Sequence, residues 1–174
     1  EVTDNAHLLT LSSEAELLGK TTVTGNGQLA FMDLDNMRGI SSSFLVEDNP
    51  NLFAVDLPVL EEGRLYIRRN ESLSRIVAPS MVESYGISIQ GNPSLANVDL
   101  QSLEEVIEDF YVLENAELQS LEVDSLTEVG NRIKVDDNAI TELSMFSLEA
   151  TGGYVYVLNN DNLQSVSMPN LFLI

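Results

Sequence analysis

From Val23 onward, apolar residues come in pairs that flank a single variable position: Phe44/Val46, Leu65/Ile67, Ile87/Ile89, Phe110/Val112, Ile133/Val135 and Val155/Val157. A second set of pairs follows each of these: Val55/Leu57, Ile76/Ala78, Val98/Leu100, Leu121/Val123, Leu143/Met145 and Val166/Met168. Alternation with period two over β-branched and aromatic residues predicts short, half-buried strands, two to a unit. One more apolar residue closes each unit: Leu60, Met81, Leu103, Leu126, Leu148 and Leu171. No sustained 3.6-residue stripe appears, and so short a unit leaves no room for a long helix. The one helix expected is a short N-terminal cap over SSEAELLGK, with Ser12 or Ser13 as its N-cap.

The strand pairs are phased by an asparagine. The phrase NPSLANVDLQSLEEV at Asn92 echoes NPNLFAVDLPVLEEG at Asn49 and NAELQSLEVDSLTEV at Asn115. Aligned on this residue, the series is Asn26, Asn49, Asn70, Asn92, Asn115, Asn138 and Asn160, with spacings of 23, 21, 22, 23, 23 and 22. A unit this small cannot bury its apolar face alone, whereas stacked copies make one continuous core. The expected fold is all-β and mainly parallel: a right-handed β-helix, or β-solenoid, of seven to eight rungs. It forms a single domain over 1–174, with 1–20 as a cap or partial rung and the rungs over 21–174. The asparagines are assigned a structural role, adopting left-handed backbone at a corner and stacking their amides into a ladder.

Units such as NPNL-FAVDLPVLEE-GRLYIRR and NPSL-ANVDLQSLEEV-IEDFYVLEN resemble the leucine-rich-type repeats of receptor L domains. They are equally similar to the same unit in fungal cell-wall proteins and in bacterial surface proteins. The resemblance covers roughly residues 26–171 and implies a right-handed β-helix, an extracellular or cell-surface setting, and binding rather than catalysis. Receptor L domains are bracketed by cysteines. This chain has none, which leans the likeness toward the microbial surface proteins.

Charge and composition narrow the partners. The chain carries 28 acidic and 8 basic residues, a net charge of −20. That disfavours nucleic acid and anionic membranes, which need a basic footprint. No apolar run is long enough to span a bilayer, so no membrane insertion is expected. Without cysteine there is no disulfide, thiol nucleophile or zinc–thiolate site. The chain begins at Glu1, as removal of a signal peptide would explain. It ends on Leu171-Phe172-Leu173-Ile174, part-way through a rung, which points to further rungs or to an end-to-end contact through an uncapped edge.

The letters that change between units carry the candidate chemistry. Between the inward pairs of the first strand, the outward column reads Thr22, Leu45, Tyr66, Ser88, Tyr111, Lys134 and Tyr156. Beside it run Ser43, Arg64, Gly86, Asp109, Arg132 and Tyr154, and on the other side Thr24, Glu47, Arg68, Gln90, Leu113, Asp136 and Leu158. Four of the five tyrosines fall on this face, beside Leu45, Leu113 and Leu158, which are expected to be exposed. Tyrosine offers broad amphipathic contact at low entropic cost, so Tyr66, Tyr111, Tyr154, Tyr156, Leu113, Arg64 and Arg68 are the candidate ligand residues. The plainer reading is that tyrosine is simply a good strand residue. Arg64, Arg68, Arg69 and Arg75 hold half the positive charge; they either neutralise Glu61, Glu62 and Glu71 or contact an anion. The second strand presents Asp33, Asp56, Val77, Asp99, Glu122, Ser144 and Ser167, which reads as a solvated face rather than a metal site.

Catalysis finds little support. Asp109, Glu83 and Asp136 are the carboxylates an acid–base site would draw on, but carboxylates are cheap in so acidic a chain. The one histidine, His7, lies away from the regular rungs, and no catalytic or cofactor motif appears. The formal glycosylation acceptor Asn70-Glu71-Ser72 falls on a corner asparagine. The reading is a non-enzymatic cell-surface or extracellular module, without metal or cofactor, binding a protein or glycan through its tyrosine-bearing sheet. A spacer or assembly segment of a larger surface protein is the alternative, and a polysaccharide-active enzyme the remote one.

Overall fold

The computed structural model describes residues 1–173; Ile174, the end of the apolar C-terminal run, lies outside the described residues. The chain winds into a β-solenoid of eight turns, and every strand pairing is parallel. Each turn contributes to three faces rather than the two that the alternation predicts. In the fourth turn, for example, the first face is 64–68, the second is Arg75–Val77 and the third is 83–84. The third-face segments are only about two residues long, such as Glu105–Val106 and Glu128–Val129. A period cannot announce itself in two residues, which is why this face is silent in the sequence. Glu62–Arg68 and Glu83–Gln90 run unbroken around the corner, so the first and third faces join into one 13-stranded sheet.

The recurring letters are two turns and a core. In every unit but the one at Asn138, where Ile140 comes only two residues on, the N–H of the residue three after the asparagine donates back to its carbonyl, as in Leu52 to Asn49 (3.1 Å), Leu73 to Asn70 (3.2 Å) and Leu95 to Asn92 (3.0 Å). That is a β-turn, and it fixes the Asn-x-x-Leu spacing. A second turn of the same kind links the other two faces: Leu60 to Leu57, Met81 to Ala78, Leu103 to Leu100 and Leu126 to Val123. All five prolines (Pro50, Pro58, Pro79, Pro93 and Pro169) occupy the second position of such a turn, where the fixed φ fits and no ladder N–H is lost. The inward pairs of both predicted strands are buried through the seventh turn, with Phe44 and Phe110 the aromatic members of one inward column. In the eighth turn, Val155, Val157 and Met168 are partly buried and Val166 is exposed.

The asparagines form a ladder, but not with the backbone geometry expected of them. The left-handed residue is the one before each asparagine: Asp4, Gly25, Asp48, Arg69, Gly91, Glu114, Asp137 and Asn159, with φ between 49° and 68°. This places the asparagine side chain inward, where its Oδ1 accepts from the backbone N–H and from Nδ2 of the preceding turn's asparagine. Its own Nδ2 also donates to a carbonyl of the preceding turn, Asn70 to Val46 O at 3.1 Å and Asn92 to Ile67 O at 3.0 Å. The ladder extends one step further than the series above, because Asn5 N and Nδ2 both donate to Asn26 Oδ1. Glu1 to Lys20 therefore include strands of a first turn: Val2–Thr3, Thr10–Ser12 and Leu17–Leu18. The expected capping helix is absent. Ser13 Oγ does accept from the Ala15 N–H, but the segment then pairs as strand with Gly39–Ile40. The apolar doublet Leu17-Leu18 is used for stacking rather than as a helix stripe.

Candidate functional site

The first face carries the candidate ligand residues in the register that alternation predicts. Leu45, Tyr66, Ser88, Tyr111, Lys134 and Tyr156 are successive neighbours along one outward column. Glu47, Arg68, Gln90, Leu113, Asp136 and Leu158 form the column beside it, and Arg64 neighbours Gly86 on the other side. Rungs of a parallel sheet lie about 4.8 Å apart, so a small residue between two large ones leaves a notch. Ser88 and Gly86 make one between Tyr66 and Tyr111.

Tyr66 is clamped. The Arg68 guanidinium lies over its ring at 4.9 Å, and Arg64 Nη1 donates to its hydroxyl at 3.4 Å. Arg68 Nη2 in turn donates to Ser88 Oγ at 3.1 Å, which fixes the guanidinium at the mouth of the notch. Loss of solvent works to lower the Arg64 pKa, and its pairing with Glu108 together with its contact to Tyr66 outweighs this and leaves it raised.

Two concavities share Tyr66. One, of about 310 Å3, is lined by Ser41, Ser42, Ser43, Arg64, Tyr66 and Tyr85. The other, of about 140 Å3, lies between Tyr66 and Tyr111 over Gly86 and Ser88, with Arg68, Glu108 and Asp109 at its rim. Tyr85 is the fifth tyrosine, absent from the predicted set. The register slips between Ser84 and Gly86, so Tyr85 is the extra residue of a bulge that aims it outward. Ser84 stabilises the bulge, donating from Oγ to Gly63 O at 2.8 Å and accepting from the Gly86 N–H.

The other predicted site residues are dispersed. Tyr154 and Tyr156 sit together on the eighth turn, with ring centroids 5.6 Å apart and both residues exposed, and Tyr156 stands two rungs beyond Tyr111 in the same column. Leu158 beside them is exposed, but Leu45 and Leu113 are half-buried among their neighbours rather than open to solvent. Lys134 is bound to Asp136 at 2.7 Å. The arginine cluster does find carboxylates, though not Glu62 or Glu71: Arg69 pairs with Asp48 and Glu47, Arg75 with Asp56, while Glu61 pairs with Arg38. Arg75 thereby neutralises the acidic column of the second face at Asp56.

The carboxylates considered for acid–base chemistry do not converge. Glu83 stands on the third face between Glu62 and Glu105, while Asp109 and Asp136 belong to different turns of the first. Among the described residues no three His, Cys, Asp or Glu side chains are grouped as metal ligands, and no helix is long and apolar enough to cross a membrane. No protein-family model, curated protein or solved structure matches this chain.

Proposed function

We propose that this solenoid is a non-catalytic extracellular or cell-surface binding module that engages a protein or glycan through its tyrosine-bearing first face. The observation that carries this reading is the clamping of Tyr66 between Arg64 and Arg68, beside two concavities that it shares. A tyrosine held in one orientation loses little entropy on contact, and aromatic and arginine side chains dominate binding surfaces. The resemblance of the repeat to receptor L domains and to microbial surface repeats supports both the setting and the non-enzymatic role.

Changing Tyr66, Tyr111 and Tyr156 together to Ser tests the reading against a glycan and protein array. The expected result is loss of the bound signal with a melting temperature lowered by no more than about 5 °C. Undiminished binding would place the ligand on another face, and turnover of an arrayed polysaccharide would replace binding with catalysis.

The second reading is an assembly segment, favoured by the apolar side chains exposed on the eighth turn. Val166 is 50% exposed, Phe172 75% and Leu173 58%. In this reading the turn stacks end-on against another solenoid turn. Sedimentation of the Phe172→Ser/Leu173→Ser variant decides it: self-association in the parent that the variant lacks supports stacking, and a concentration-independent monomer in both removes it.

A further inference from the structure

Of the four arginines between 64 and 75, three are tied to carboxylates: Arg64 to Glu108, Arg69 to Asp48 and Glu47, and Arg75 to Asp56. Among the described residues Arg68 is tied to none. Its register neighbour on the preceding turn is Glu47, but that carboxylate turns to Arg69 at 2.9 Å. Its neighbour on the following turn, Gln90, donates instead to Glu114. In a chain of net charge −20, Arg68 thus has no ion pair, as Lys20 and Arg132 have none among the described residues, and the one acid beside it in register, Glu47, is taken by Arg69. Its guanidinium is also held in place, with one face on Tyr66, Nη2 on Ser88 Oγ, and Nε buried without a partner.

We infer that the notch between Tyr66 and Tyr111 binds a uronate unit of an acidic oligosaccharide, with Arg68 receiving the sugar carboxylate. The inference rests on the first face being the binding face and names what that face takes. A guanidinium fork matches a carboxylate in plane and spacing, and one already immobilised loses little freedom when it is engaged. The walls suit a sugar better than an acidic peptide. Beside the tyrosine rings and hydroxyls (Tyr66, Tyr111, Ser88 and, across Tyr66, Ser41 to Ser43) stand two rim carboxylates that are already engaged, Glu108 by Arg64 and Asp109 by the Arg132 N–H. Rings present flat faces to the C–H side of a pyranose, while phenol and serine hydroxyls exchange hydrogen bonds with its hydroxyls. The small floor at Gly86 and Ser88 admits one sugar-sized ring. Of the chain's negative charge, the part beyond about 8 Å is largely screened at physiological ionic strength, and of the two carboxylates at the rim Glu108 is offset by its ion pair with Arg64.

Isothermal titration with a galacturonate trimer, its fully methyl-esterified counterpart, a sulfated trisaccharide and a glutamate-rich peptide tests the assignment. The acid trimer is expected to bind. Esterification and Arg68→Gln should each weaken it at least about tenfold, and Arg68→Lys should restore only part, because the charge returns without the fork. The melting temperature of Arg68→Gln is followed alongside; if that variant unfolds, Arg68→Lys decides. The carboxylate assignment is overturned if the trimer does not bind, if the ester binds as well as the acid, or if Arg68→Gln has no effect. Preference for the sulfated sugar or for the peptide overturns it too. A serine variant of Tyr66 and Tyr111 separates the two levels. If it abolishes binding of an ester that binds as well as the acid, the face stands and the carboxylate falls. If the acid trimer binds that variant undiminished, both fall.

Discussion

Oδ1 of Asn92 accepts two hydrogen bonds from Asn70, one from its backbone N–H at 3.0 Å and one from its Nδ2 at 3.2 Å. Asn92 Nδ2 meanwhile donates to Ile67 O, and all of these groups are sealed from solvent. Asn92→Ala therefore takes these partners from one buried donor, the Asn70 N–H, and one buried acceptor, Ile67 O, while Asn70 Nδ2 keeps Val46 O and Arg68 O; each stranded group costs about 1–3 kcal/mol. The expected loss is at least about 2 kcal/mol in urea unfolding. Asn92→Asp restores the acceptor but not the donors and buries a charge, so it too should destabilise. Asn5→Ala, at the exposed end of the same ladder, should cost less than about 1 kcal/mol.

Asn70 stands in the tripeptide Asn70-Glu71-Ser72, yet its side chain is fully buried and bonded to Val46, Arg68 and Asn92. A glycan on Nδ2 cannot coexist with that position. Secretion from a glycosylating host should yield a folded fraction whose intact mass shows no sugar at Asn70, with any glycosylated chain in the misfolded fraction. Ser72→Ala should raise the folded yield and leave the melting temperature unchanged.

Gly130 and Gly152 lie in adjacent turns where backbone meets backbone. A Cβ on Gly130 would come within 2.0 Å of Ile107 O, and one on Gly152 within 2.0 Å of Gly130 O. Alanine at either position has to push two turns apart, at an expected cost of about 3 kcal/mol or more. Gly27→Ala meets nothing within 4 Å and should change stability by no more than about 0.5 kcal/mol. Paired thermal melts of the three variants check the contrast.

The carboxylates at two corners set part of the acid limb. Arg69 donating to Asp48, and Lys134 donating to Asp136 with help from Asn159, hold both pKa values below the ordinary 3.8. A carboxylate with a depressed folded-state pKa contributes stability that is fully present above its unfolded pKa. That contribution is lost as pH falls through the folded value. Asp48→Asn and Asp136→Asn should each lower stability at pH 7, and each should flatten its decline between about pH 5 and pH 2. Urea midpoints measured across that range give the slope.

On the third face, Glu62, Glu83, Glu105 and Glu128 are stacked neighbours on four consecutive turns, with no basic residue in the column. Like charges one rung apart repel, and salt screens them. Glu105→Gln should raise the melting temperature in low salt by a shift equivalent to less than about 1 kcal/mol, and the gain should vanish in high salt.

What could be read ahead of the structure follows from what repeats. The inward pairs of two strands, the first-face columns and the ladder from Asn26 to Asn160 all carry a periodic signal. The left-handed corner does not, because the column Asp4, Gly25, Asp48, Arg69, Gly91, Glu114, Asp137 and Asn159 shares no side-chain chemistry. The ladder beside it holds the backbone there, so even Arg69 and Glu114 take a conformation that bulky residues rarely adopt. The asparagine was the visible half of a two-residue device. Tyr85 was hidden for a related reason: a bulge shifts the alternation by one, and a period-two reading assigns the residue to the wrong side. The choice of acid by each arginine depends on rotamers, which no spacing encodes.

The indifference of that corner to its own side chain also frees the molecule's length. Every turn passes through the same pair between its first and second faces, a left-handed residue followed by a ladder asparagine. The segment between two such points can therefore be duplicated or excised and the cut ends still meet in register. The solenoid is in this sense a ruler with gradations of about 4.8 Å. Its reach can change one gradation at a time, while the surface between marks is rewritten independently.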